Sequence, residues 1–139
     1  MKQAFLLCAA ALLCLTACEN KQGSSGDKAD PTKFPVLKFD QAEADLGKVT
    51  EGDTLVHRFA FRNTGNAPLV IQSANASCGC TVPTVPTEPI APGDTSSILV
   101  RFNSKNKVGA NTKTVTVTAN TKPETTTVSF RVEVQAAAK

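Results

Sequence analysis

Strict alternation of apolar and polar residues begins near Leu37 and recurs to Val134. Leu37 and Phe39 alternate with Lys38 and Asp40, which predicts a first strand, and Asp45-Leu46-Gly47-Lys48-Val49 continues it past a bend. After a turn at Glu51-Gly52-Asp53, Leu55, His57, Phe59 and Phe61 share one parity against Val56, Arg58, Ala60 and Arg62 on the other. That period of two is the signature of a half-buried strand. Thr64-Gly65-Asn66 predicts a turn, since glycine and asparagine tolerate positive φ. Leu69 and Ile71 return on the core face. Pro83, Pro86, Pro89 and Pro92 follow Cys78-Gly79-Cys80. Proline donates nothing to a ladder, so this passage predicts a sheet edge or a loop crossing between sheets, closed by a tight turn at Ala91-Pro92-Gly93-Asp94.

Ile98, Val100 and Phe102 form the next inward row, and Asn103 to Asn111 is a polar connection. Val115 and Val117 alternate with threonines, a turn falls around Pro123, and Val128, Phe130, Val132 and Val134 complete the pattern. No segment after residue 33 shows helical periodicity. About seven short strands at regular spacing argue for an all-β, antiparallel β-sandwich. The folded part runs over 34–135, with 136–139 a frayed tail.

The front of the chain is of another kind. Met1-Lys2-Gln3 is a short basic head, Ala4 to Leu15 is apolar for a dozen residues, and Leu15-Thr16-Ala17-Cys18 closes it with small residues before a cysteine. The apolar run is too short to span a bilayer as a helix. The layout resembles a bacterial lipoprotein signal over 1–17. That resemblance implies a thioether-linked diacylglycerol on Cys18, usually with an added N-acyl chain such as palmitate. Cys8 and Cys14 fit less well, because each follows a bulky leucine. Two or more acyl chains hold a protein stably where one does not. Residues 18–33 are polar, with Gly23-Ser24-Ser25-Gly26 at their centre, and read as a lipidated flexible tether. No second apolar stretch of spanning length follows, so the expected state is tethered rather than integral. The expected location is the bacterial cell envelope, at the outer membrane, with the face undecided.

Without residues 1–17 the chain keeps 122 of its 139 residues, a one-domain length, and loses only Lys2 from its net charge of +3. So small a charge, without a basic cluster, does not argue for nucleic acid. With no Trp or Tyr, the core must come from Phe, Val, Leu and Ile.

The blocks Phe59-Ala-Phe61-Arg-Asn63-Thr-Gly65-Asn-Ala-Pro68-Leu69-Val-Ile71, Ser77-Cys78-Gly79-Cys80-Thr81, Ile90-Ala-Pro92-Gly93, and Gly109 with Val115-Thr-Val117-Thr-Ala-Asn120 resemble the domain-of-unknown-function family numbered 1573. The likeness runs from about Leu37 to Val134. It implies an immunoglobulin-like fold, similar to the domains of the major sperm protein and cilium-associated groups, carried by envelope lipoproteins of Bacteroidota and their relatives. It implies no activity.

Cys78-Gly79-Cys80 is the constellation that could carry chemistry. Three readings stand open. The pair can be structural, closed as a small disulfide by a bend at Gly79 or packed as thiols. It can be redox-active, although Asn75 to Val82 bring no charge to lower a thiol pKa. It can bind copper or zinc with His57, the sole histidine; counting the turn around Asn63 and Ala67 as a hairpin sets His57 opposite Ser73. Asn75-Ala76-Ser77 matches a glycosylation sequon and Asp53-Thr54-Leu55 an O-glycosylation triplet; both are short. No phosphate loop, nucleophile elbow or spaced carboxylate pair is present, so an enzyme is not expected. The function expected is a non-enzymatic module that binds or scaffolds an envelope protein. The alternative is a thiol-dependent metal-binding or redox protein.

Overall fold

A computed structural model describes residues 31–138. The targeting segment, Cys18 and all but the end of the tether lie outside the described residues. Eight strands form, β1 (Leu37–Phe39), β2 (Glu43–Thr50), β3 (Thr54–Asn63), β4 (Ile71–Ala76), β5 (Thr81–Thr84), β6 (Thr95–Asn103), β7 (Gly109–Ala119) and β8 (Thr125–Gln135). They pair as two four-stranded sheets, β1-β3-β6-β5 (sheet A) and β2-β8-β7-β4 (sheet B). The expected all-β sandwich is therefore the fold.

Alternation decides the core. Phe59 and Phe61 of β3 and Ile98, Val100 and Phe102 of β6 point inward from sheet A, against Val115 and Val117 of β7 and the valines and Phe130 of β8. Phe102 meets Phe130 edge-on across the layers, with ring centroids 5.7 Å apart. Offset and edge-to-face ring pairs add to area burial.

Three local expectations are corrected. The segment 43–50 does not continue β1; it crosses to sheet B and pairs parallel with β8, so one pair in the sandwich is not antiparallel. The turn after Asn63 does not close a hairpin, because β3 and β4 lie in different sheets. His57 accordingly faces Val100 of β6, not Ser73, which pairs with Thr118. Finally, Gly65 is not at positive φ. It is required by space instead: a Cβ there would sit on the Phe34 carbonyl oxygen and 2.5 Å from the Val36 nitrogen, both backbone.

Asn63 explains why the chain turns there. Its side chain is fully buried. Its Oδ1 accepts from the Gly65 and Val36 N–H groups (3.0 and 3.3 Å), and its Nδ2 donates to the Ala67 and Ile90 carbonyls (2.8 and 3.0 Å). Its own N–H donates to Asp94 and its carbonyl accepts from Gly93. One side chain thus ties the 34–36 strap, the 64–67 turn and the Pro-rich passage together. Gly93 supplies that contact at φ 86°, where a side chain would be strained.

Candidate functional site

Cys78 and Cys80 are joined by a disulfide, with Cα atoms 5.3 Å apart. The bond lies where the chain leaves β4 of sheet B for β5 of sheet A. Both residues are half-buried, and Cys80 packs against the core. The Cys80 carbonyl accepts from Asn103 N–H, so the crossing is anchored to β6. Gly79 has no positive φ, and a Cβ on it would meet nothing within 4 Å. The bend therefore does not depend on glycine. Sulfurs bonded to each other offer no thiolate to a metal or a substrate.

His57 does not join them. It lies in one row with Val100 and Pro83 across sheet A. Two strand spacings and the run from Pro83 to Cys80 separate it from the disulfide by roughly 10 Å in each direction. Its ring is half-buried, 4.6 Å from Phe59 and edge-on to it. Among the described residues no group of three potential ligands converges on a metal position. The geometry thus disfavours the thiol and metal alternative. Asn75 of the sequon is exposed on β4, and Thr54 of the triplet opens β3.

Two predictions arise here. The ring closed by the disulfide is so short that Cys78→Ser with Cys80→Ser is expected to cost only about 1–2 kcal/mol. Urea denaturation of the double variant against the parent measures it, and a loss of the size usual for long loops would contradict the entropic account. Burial pushes the His57 imidazole below its ordinary value of 6.5. The unfolded chain therefore takes up a proton first, so this contribution to stability is full above 6.5 and is lost as pH falls through the lower folded value. Titrating the denaturation midpoint over about pH 7.5 to 5.5 is expected to show a slope that His57→Gln reduces.

Sequence reasoning missed a second feature. β1 is three residues long and pairs only with Phe61, Arg62 and Asn63, the contact being extended by Asp40 N–H to the Ala60 carbonyl. β3 continues to Thr54 with β6 alone. Since Ala60 faces the β1 side, alternation turns the backbone groups of Arg58 and Val56 to the same side, where no strand among the described residues meets them. A depression of about 380 Å³ lined by Asp40, His57, Arg58 and Phe59 opens beside this half-edge. The signal in the sequence was the mismatch in length between the Leu37–Phe39 and Leu55–Phe61 alternations.

Residues 37–134 match the family described as Protein of unknown function (DUF1573). The chain belongs to that family. Comparison with curated proteins finds no match. Among solved structures, the DUF1573 chain resembles a protein of unknown function from Porphyromonas gingivalis W83 (TM-score 0.67, 14% identity, 78% of this chain and 51% of that one). It thus spans about half the length of that protein. It also resembles the ASH / PapD-like domain 7 of human CEP192 (TM-score 0.57, 10% identity, 81% of this chain and 93% of that one). A third likeness is to the E. coli chaperone DraB (TM-score 0.51, 11% identity, 76% and 57%). At these identities the likenesses establish the fold alone.

Proposed function

We propose that this DUF1573 protein is a lipid-anchored protein of the bacterial cell envelope, attached through Cys18. Its sandwich is a non-enzymatic module that binds or scaffolds another envelope protein. The observation that carries the binding reading is the half-open edge of β3. Exposed strand edges accept an extended segment through backbone hydrogen bonds, with neighbouring pockets reading its side chains. The far edge of sheet A is blunted by contrast. Val82 and Thr84 share the parity of Cys80 toward β6, so the missing N–H of Pro83 falls on the free side of β5. The half-edge of β3 contains no proline. The anchoring reading is supported by the register of small residues before Cys18, and among the described residues no helix is long and apolar enough to cross a membrane.

Site-specific photocrosslinking of the full chain in a diderm bacterium tests both parts. A crosslinker at Val56 is expected to give a discrete protein adduct, and Arg58→Pro, which removes one edge donor while sparing the bonds to β6, is expected to abolish it. An adduct pattern shared with Thr116 on the opposite sheet would refute the edge. Incorporation of an alkynyl fatty acid is expected in the parent and absent in Cys18→Ala; equal labelling would refute the anchor.

A further inference from the structure

We infer that the outer face of sheet A is a docking surface for an anionic phospholipid bilayer. The register fixes which side chains leave that face. Lys38 lies opposite Arg62, Arg58 opposite Leu99, and Arg101 between Val56 and Val82. Their neighbours Phe59, Phe61, Val100 and Phe102 are buried, so these four cations point outward, and all four are exposed. The remaining outward positions of the strands are threonine, serine, alanine and asparagine; Asp40, just past β1 and on the parity of Lys38, sets one carboxylate beside the four cations. Among the described residues none of the four cations is held in an ion pair; Arg58 Nη1 donates to Ser97 Oγ at 2.8 Å, which lays its guanidinium along the sheet.

Sheet B is different. Asp45 lies opposite Arg131 and Lys48 opposite Glu133, with Glu43 beyond, so its outer charges are mixed, with one carboxylate in excess. The outer face of sheet A thus sets four cations against one carboxylate, an excess that sheet B lacks. That face also bares Val56 (52% exposed) and Val82 (57%) on either side of Arg101. Cations interleaved with exposed apolar side chains on a broad surface match the headgroup region of an anionic membrane. Nucleic acid is a poorer match, since the face offers no aromatic ring for base stacking. The inference gains weight from the proposed anchor, which would keep the domain beside a bilayer.

The test does not depend on that anchor. The chain lacking residues 1–17 and carrying Cys18→Ser retains all eight strands and the whole core. Its sedimentation with phosphatidylcholine vesicles is compared with and without phosphatidylglycerol. Partition is expected to rise at least roughly tenfold with the anionic lipid and to vanish at high salt. Arg62→Gln with Arg101→Gln is expected to lower it roughly 25-fold, about fivefold per charge, while Lys48→Gln with Arg131→Gln on sheet B changes it less than about twofold. Unchanged denaturation midpoints confirm that both variants are folded. Equal partition on the two vesicle types would overturn the inference. So would equal losses from the two variants, or binding to DNA or polyglutamate without binding to anionic vesicles. Loss of acyl labelling at Cys18 would instead remove the anchor and leave this surface standing.

Discussion

Asn63→Ala is expected to destabilise the folded protein by about 3 kcal/mol, near 1 kcal/mol for each of the three backbone groups it leaves without a partner. Those groups are the N–H of Gly65 and Val36 and the carbonyl of Ala67, while the Ile90 carbonyl loses one of two bonds and keeps the Leu69 N–H. With Ile90 they belong to three separate passages, which the side chain no longer ties together. Asn63→Asp is expected to do more harm than alanine. It keeps the shape but sets a second oxygen against the Ala67 and Ile90 carbonyls, where the amide donated. Urea denaturation with an unchanged m-value measures both. If aspartate proved milder than alanine, the side chain would be acting as a spacer and not as a hydrogen-bonding hub. A domain of this kind has on the order of 5–15 kcal/mol in total, so either variant removes a large share.

Phe59→Ala is expected to cost about 3–5 kcal/mol, through lost burial and the cavity left behind. Phe59 is 1% exposed, lies opposite Ile98, and carries the His57 ring on its edge. Val56, on the other parity and 52% exposed, is the matched comparison: Val56→Ala is expected to fall within about 0.5 kcal/mol of the parent. The contrast tests the assignment of faces more sharply than either value. A Phe59→Ala loss below about 1 kcal/mol would mean that the inward row is assigned to the wrong side.

Where burial is one-sided, the pattern of residues sufficed to locate the strands. Leu55 to Phe61, Ile98 to Phe102 and Val128 to Val134 each alternate cleanly, and each is a strand with those residues inward. Sheet membership was not legible. Leu37–Phe39 and Ala44–Val49 carry the same short alternation, and nothing local says that the chain changes layers between them. The turn after Asn63 has hairpin chemistry, yet the Asn63 backbone is bonded to Gly93 and Asp94, some thirty residues on, and the following strand goes to the other sheet. That long-range choice misplaced His57. The hub itself left a trace: Asn63 continues the inward parity of Phe59 and Phe61, and a polar residue at an inward position calls for partners. The cationic face left one too, since Arg58, Arg62 and Arg101 all fall on the outward parity, but only the register shows that they share a sheet.

The strap at 31–36 enters the domain through a clasp. Phe34 N–H donates to Asn66 Oδ1, Asn66 N–H to the Phe34 carbonyl, and Asn66 Nδ2 to the Thr32 carbonyl, over a glycine that leaves no room for a side chain. Any tension arriving along the backbone from residue 31 must shear this latch before it loads a ladder of either sheet. The mechanical weak point of the domain is thereby set at its doorway, where it can yield and re-form while the sandwich behind it stays shut.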